Sequence, residues 1–302
     1  MITINTAKGL SRIETWDDVA GRAGFTNDLD PSKHELASIV GRYVFGDVIR
    51  CGLSNCHAPH ARGYIVATKD GRETNIGKDC GKKYFGVDFE EQARQFDRDI
   101  TEQENREILW SFSFQLPEFD AKIAEVRAGK NGADWVHKHC QTLLGMNPRL
   151  PKAMVRVLAN LVKTKSNILT KQRLASEQET ENLETMGGKR LPRPYYIDEP
   201  YAELAGVEAL YAENDLRELV ILRMEEEAKT FRRKDIDIMS FLELTRWKKW
   251  VTSVDATFEA AWAAVGFGRL LLTRENLVAL ADIGGLEKDD RDSLEVFFAS
   301  LG

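Results

Sequence analysis

Three cysteines within a stretch of thirty residues constrain this 302-residue chain more than any other feature. The run Cys51-Gly-Leu-Ser-Asn-Cys56-His57-Ala-Pro-His60 leads into Gly63-Tyr-Ile-Val-Ala-Thr68, then Lys69-Asp70-Gly71-Arg72, then Thr74-Asn-Ile-Gly-Lys-Asp-Cys80-Gly81. The Asp-Gly pair suits a tight hairpin turn in which both central positions take φ > 0. Cys51 and Cys56 are therefore expected on a knuckle, followed by a β-hairpin, with Cys80 at the start of a short helical segment.

Three thiols and one imidazole make a closed set for tetrahedral Zn²⁺. The candidate metal ligands are Cys51, Cys56, His60 and Cys80. The three-residue gap after Cys56 lets the chain turn back on a metal at His60, whereas His57, the local alternative, shares a very short loop with its neighbour. The order of knuckle, hairpin and ligand at a helix N-terminus resembles a treble-clef zinc finger over residues 48–86. The first spacing, Cys-x4-Cys, is long for such a module, and the second half offers one cysteine where many treble clefs offer two ligands. The resemblance implies a structural Zn²⁺ as the cofactor. The competing reading is a set of buried free thiols packed as small hydrophobes. A disulfide is disfavoured, because the chain opens with no signal peptide and holds no apolar run of transmembrane length, so a reducing cytoplasm is expected.

The length is sufficient for two domains with real cores. The expected fold class is α+β: a small zinc-stabilised N-terminal domain over residues 1–87, a helical middle region over 88–184, a linker over 185–200 and a helical C-terminal domain over 201–302. Trp16-Asp-Asp-Val19 opens a short helix, and Tyr43-Val-Phe45 with Val48-Ile49 reads as strand. Phe89, Ala93, Phe96 and Ile100 recur at helical spacing, whereas Trp110, Phe112, Phe114 and Leu116 alternate with polar residues and predict a strand. Pro117 starts the next helix and Gly129 closes it. Asp134 caps a helix with Trp135, Val136, Cys140 and Leu143 inward. Met154, Leu158, Leu161, Val162 and Ile168 form an apolar stripe after Pro151. The Gly and Pro residues of 186–194 mark the linker. Beyond it, 201–211, 215–231, 235–251 and 255–265 carry helical periodicity, Thr273 caps another helix, and 289–301 forms the last.

Lys and Arg number 42 against 48 Asp and Glu, a net charge of −6, which argues against a dedicated nucleic-acid binder. The charge is uneven. Residues 48–86 carry seven Lys/Arg against three Asp/Glu, and residues 141–176 carry seven Lys/Arg and no acid. Within the second stretch Arg149, Lys152, Arg156 and Lys163 lie off the apolar stripe and form the candidate partner-binding face. No phosphate-cradling loop, dinucleotide fingerprint, nucleophile elbow or His-Glu-x-x-His motif occurs. His137-Lys-His139-Cys140 reads as a core cysteine with two surface histidines, since positions two apart on a helix face different ways. Trp247 and Trp250 beside Arg246 read as helix core, although stacking on bases would use the same groups. Ala281-Asp-Ile-Gly-Gly-Leu286 is similar to the turn of a helix-hairpin-helix DNA motif, but its flanking acids would repel phosphate, so a glycine C-cap is expected.

The whole chain, acidic and motif-poor with a zinc-pinned head on a helical body, resembles accessory proteins of tailed phages, among them anti-Gabija proteins. That resemblance implies a non-enzymatic protein of the host cytoplasm that binds and inhibits or scaffolds a protein complex. Self-association through residues 201–302 is expected, because Leu204, Val207, Leu210, Leu216, Leu219, Val220, Leu222, Met224 and Phe231 exceed what one small helical unit needs to bury. A nucleic-acid-binding protein that uses the finger and the basic 141–176 segment is the alternative, and an enzyme with dispersed carboxylates is the second alternative.

Overall fold

In the computed structural model, which describes all residues except 7, 8, 147–149, 284 and 285, the protein is α+β, with an N-terminal antiparallel sheet and a long helical body. Two compact units emerge, each built from two chain segments: Met1–Ser111 with Asp235–Lys248, and Phe112–Lys234 with Lys249–Gly302. Residues 185–200, the expected linker, lie inside the second unit.

The first unit contains β1 (Ile2–Thr6), β2 (Gly9–Ile13), the short helix α1 (Trp16–Ala20), β3 (Leu36–Arg50), β4 (Pro59–Thr68) and β5 (Glu73–Ile76). The five strands pair antiparallel in the order β2-β1-β3-β4-β5. Because side chains alternate along a strand, β4 sends Tyr64 and Val66 to one face and Ile65 to the other. Ile65 packs with Ile2, Ile4, Val19 and Tyr43. Tyr64 and Val66 join Leu29, Ile39, Leu53 and Ile76 against Phe89, Ala93, Phe96 and Ile100 of α2 (Lys78–Ala128). Polar pins hold this packing in place. The Tyr64 hydroxyl donates to Asp97 at 2.8 Å, Arg42 donates to the other oxygen at 3.1 Å, and the Ile39 N–H donates to Gln92 at 3.0 Å. The helix expected at Trp16 is present, with Thr15 capping it by accepting from the Asp18 N–H.

The hairpin falls where the sequence places it, but its turn differs. Thr68 and Arg72 bracket a three-residue loop, and only Gly71 takes a left-handed φ, +85°. This is the arrangement in which a right-handed turn is completed by one glycine in the left-handed region.

The strand expected at 110–116 is helix. α2 is broken at Gly86, whose φ of 64° and ψ of −141° are not helical, and then runs through this segment with Pro117 inside it. Buried Asn105, Leu109, Phe112, Phe119, Ile123 and Val126 recur at spacings of three, four and seven, while Phe114 is 79% exposed. The alternation arose because two of the four large residues, Trp110 and Phe114, lie toward solvent.

The second unit comprises the remainder of α2, α3 (Ala133–Leu143), α4 (Lys152–Thr164), β6 (Ile168–Leu174), α5 (Glu177–Gly187), β7 (Tyr196–Glu203), two 3₁₀ turns (Val207–Leu210 and Ala212–Asn214), a π-helix (Arg217–Glu226), α6 (Glu227–Phe231), the later part of α7 (Phe241–Leu271), α8 (Arg274–Leu277), a 3₁₀ turn (Val278–Asp282) and α9 (Lys288–Ala299). β6 and β7 form a separate antiparallel ribbon. Residues 201–211, expected to be helical, instead finish β7 and enter the first 3₁₀ turn; pairing with β6 overrides the local periodicity. Ile168, placed on the α4 stripe by periodicity, opens β6 and is exposed. Thr273 caps α8 as expected, accepting from the Asn276 N–H. Gly284 and Gly285 of the Ala281–Leu286 stretch lie outside the described residues. The apolar side chains expected to be surplus in 201–302 are buried within the chain, Leu222 excepted, so that stripe is core.

Candidate metal centre

The site forms where three local structures meet in the first unit. β3 ends at Arg50, and residues 51–58 turn back into β4: the Cys51 N–H donates to Ala58 O at 3.0 Å and the Cys56 N–H to Leu53 O at 3.1 Å. This knuckle is tied to the rest of the unit through Leu29, which donates to Gly52 O at 2.8 Å and accepts from Ser54 at 2.9 Å. Cys80 arrives on the first turn of α2, directly after β5 and Gly77. Gly52 lies so close to β5 that an added Cβ would stand 2.1 Å from Thr74 Oγ1 and 2.9 Å from Asn75 Oδ1. A side chain at 52 would lever the knuckle off the sheet.

The Sγ atoms of Cys51, Cys56 and Cys80 all lie within 4.8 Å of one another, so these three residues could hold a metal ion. Cys56 and Cys80 are 3.2 Å apart, too long for an S–S bond of about 2.05 Å. A tetrahedral thiolate site with metal–sulfur bonds near 2.3 Å sets its sulfurs about 3.8 Å apart, so small shifts seat an ion. The donor set suits a borderline-soft cation.

The three thiols are not equivalent. Burial raises the pKa of Cys51, opposed by hydrogen bonds from the Leu53 and Gly77 backbone. Burial likewise pushes Cys80 up to about 12, with a further contribution from Cys56. Cys56 is lowered, chiefly by the Ala58 backbone N–H and then by Cys80. Without a cation the arrangement favours one thiolate, at Cys56. A divalent ion would be needed to gather three.

His60, the expected fourth ligand, is not within the thiol cluster. Its Nδ1 is 3.1 Å from Ala58 O and its Nε2 is 2.5 Å from the Tyr43 hydroxyl. A carbonyl can only accept, so Nδ1 carries the proton and Nε2 receives the tyrosine O–H. Tyr43 is fully buried, and burial raises its pKa, opposed by the hydrogen bond from Asn75. Asn75 Nδ2 also reaches that hydroxyl, at 3.4 Å, and Arg50 O at 2.8 Å. The alternative, His57, takes a left-handed φ of 55°, turns Nδ1 to Cys51 O at 3.1 Å and faces Asp28 with Nε2 at 3.8 Å.

Tyr43 thus holds His60, and Asn75 holds Tyr43 and the end of β3 next to Cys51; sequence reasoning did not single them out. One signal was available. Gly63 sits in the middle of an apolar strand, where glycine marks a close approach, and Tyr43 is its pairing partner in β3.

Of the candidate partner-binding residues, Lys152, Arg156 and Lys163 lie on α4, are exposed, and have no carboxylate partner among the described residues. Their spacing of four and seven puts them on one face of the helix. Arg149 lies outside the described residues. Elsewhere in the basic segment, Lys165 pairs with Glu213 at 2.8 Å and Arg173 with Glu179 at 2.6 Å. His139, expected at the surface, is buried, with Nδ1 2.8 Å from Trp135 O. Its ring lies 4.6 Å from the Trp135 ring, so the aromatic body of the histidine is used as core. Cys140 belongs to the second unit, where burial pushes it up to about 12. Trp247 is fully buried. Trp250 is half-buried, and its Nε1 donates to Arg223 O at 2.8 Å.

No protein-family profile, curated protein or solved structure matches the chain. Among the described residues no helix is long and apolar enough to cross a membrane.

Proposed function

We propose that this protein carries one structural Zn²⁺ in its first unit and works, without catalysis, by binding another macromolecule. The observation that carries the metal reading is the convergence of Cys51, Cys56 and Cys80 from a knuckle and a helix start. Zn²⁺ suits three thiolates and one imidazole, and a four-ligand site has no open position for an activated water. His60 is the fourth ligand in this reading. Its Nδ1–H points to a backbone carbonyl, the arrangement that leaves the other nitrogen basic in metal-bound histidines, and Nε2, which accepts from the Tyr43 hydroxyl in this structure, would exchange that bond for the metal. When bound, the ion would supply cohesion between knuckle and helix. Elemental analysis of metal-replete protein should give about one zinc per chain. Less than a tenth of that ends the proposal, and retention of zinc in His60→Ala with loss in His57→Ala reassigns the fourth ligand.

The partner in this reading is an acidic protein surface. Lys152, Arg156 and Lys163 supply three cations on one helix face with no carboxylate partner among the described residues, too narrow a stripe for a duplex backbone, which is usually met by several converging cations. The same alignment favours a second reading, nucleic acid held through phosphates. Salt separates the two. Sub-micromolar binding of duplex or single-stranded DNA or RNA at about 150 mM salt, with a steep log–log salt slope and loss on Lys152→Glu/Arg156→Glu/Lys163→Glu, would replace the protein reading. Unchanged, weak nucleic-acid binding in that variant supports it.

A further inference from the structure

The second unit contains a cavity of about 220 Å³ between α3, α4 and the irregular segment before the π-helix. Its walls are apolar: Val136, Leu144, Val162, Leu210 and Leu216 contribute. A cavity of about 150 Å³ with walls of this kind holds a benzene ring, so this one has room for a ring system with a substituent. The space is not a packing flaw in a regular bundle. Its floor is built from two consecutive 3₁₀ turns and from Asp215 and Leu216, which lead into a ten-residue π-helix, Arg217–Glu226. Extended π geometry is rare, and π-bulges cluster at functional sites.

One end of the cavity is polar. His137 Nδ1 faces Asp215 Oδ1 at 3.5 Å, and Asp215 Oδ1 also accepts from the Arg217 N–H at 2.9 Å, at the first residue of the π-helix. A carboxylate on that side favours the proton at Nδ1 and leaves Nε2 as an acceptor. Asn214, also in the lining, has its Nδ2 committed to Glu208 O at 2.8 Å. The strap 211–214 is tied down from outside: Lys165 bonds Glu213 at 2.8 Å and sits 5.4 Å from the centre of the Tyr211 ring. The walls of the cavity are therefore fixed by the fold, with His137 and Asp215 at the polar end of an apolar space.

We propose that this cavity is a binding site for a small, neutral, ring-sized molecule that carries one N–H or O–H donor, met by His137. The site is independent of the metal reading, because every lining residue belongs to the second unit.

The test uses indole, an apolar bicycle with one N–H, and 1-methylindole, which lacks the donor. Titration of each into the full-length zinc-replete protein is followed by heteronuclear NMR. Indole should bind saturably with a Kd of roughly 0.1–1 mM, in keeping with the affinity expected for about nine heavy atoms. It should shift amides of α3 and 209–216, and 1-methylindole should bind several-fold more weakly. Ala212→Trp, at an exposed lining position, fills the mouth and should weaken indole at least tenfold. His137→Phe keeps a ring in place and should equalise the two ligands. Gln141→Trp serves as the blocking variant if Ala212→Trp does not give a wild-type circular-dichroism spectrum and melting temperature. The proposal is overturned if indole shows no saturable shift, if its binding survives both blocking variants, or if 1-methylindole binds wild type as well as indole does.

Discussion

The two units achieve order by different means. Around the thiol cluster, the first unit relies on short turns and close backbone approaches: the knuckle is two hydrogen bonds deep, Gly52 touches β5, and Gly63 lies under Tyr43. The second unit relies on bulk. Phe112, Phe119, Phe231, Trp250 and Phe258 interlock edge-to-face or tilted, with centroids 5.3–6.1 Å apart. Apolar burial is non-directional and spreads its loss over many contacts. A ligand-held turn concentrates its stabilisation in a few atoms. The comparison teaches that damage should be local and severe in one unit, graded in the other.

The largest expected effect tests this contrast directly. If the thiols hold the proposed metal, chelation, or changing Cys80→Ser, should strip hydrogen-exchange protection from the knuckle, β4, β5 and the start of α2 while leaving α3 and α4 protected. Structural zinc contributes on the order of 10 kcal/mol in small zinc-dependent folds. Equal loss of protection in both units would show that their stabilities are not separable; no loss anywhere would mean that the thiols are packing groups. Next in size is Phe119→Ala, which removes three ring contacts from the second unit and should lower its stability by about 3–5 kcal/mol. Denaturant melts monitored at α3 should register it, with zinc content unchanged.

Gly63→Ala should cost less, about 1–3 kcal/mol, because the new methyl meets Tyr43 and Ile76 O and forces a backbone shift. The accompanying displacement of Tyr43 should weaken zinc retention against a competing chelator. Normal retention would separate Tyr43 from the metal site. The smallest effect lies at the start of α5, where Arg173, then the Ser176 N–H and hydroxyl, hold the Glu179 carboxyl down to about 2. A depressed carboxyl pKa stabilises the folded state above the ordinary carboxylate range and loses that contribution as pH falls through the folded value. Both groups are exposed, so the effect is local. Carboxyl NMR should place the Glu179 midpoint near 2, and Arg173→Ala should raise it toward the ordinary range.

Legibility followed the same division. In the first unit chemistry is written in order along the chain: knuckle, hairpin and Cys80 at the helix start all fall where the residues place them. Short-range turn rules decide such features. The destination of His60 was not legible, because it depends on Tyr43, seventeen residues earlier and on a neighbouring strand. In the second unit the amphipathic stripes of α3 and α4 were legible. The ribbon of β6 and β7 was not, because each strand is defined by a partner more than twenty residues away. The helix through 110–116 was hidden because exposed Trp110 and Phe114 imitate a period of two. The buried His139 was missed because its helical phase was compared only with that of His137, and not with Val136 and Leu143, three residues before and four after it on the buried face. The cavity had no sequence signal, since it is bounded by irregular backbone that periodicity does not describe.

The ribbon has a consequence for how the chain tolerates change in length. Twenty-one residues, 175–195, intervene between strands that pair end to end, with Leu174 opposite Tyr196. α5 fills part of that interval, and Gly187 at its end and Gly188 just after it have open space around them. The strand ends are already held together by their own ladder, and the entropic cost of closing a loop grows only slowly with its length. Exposed tips with free space accept inserted sequence most readily. The position after Gly188 is therefore a natural port: a place where descendants of this sequence can gain or lose a whole segment, and where a reporter domain can be spliced into the chain with both ends of the host still tethered.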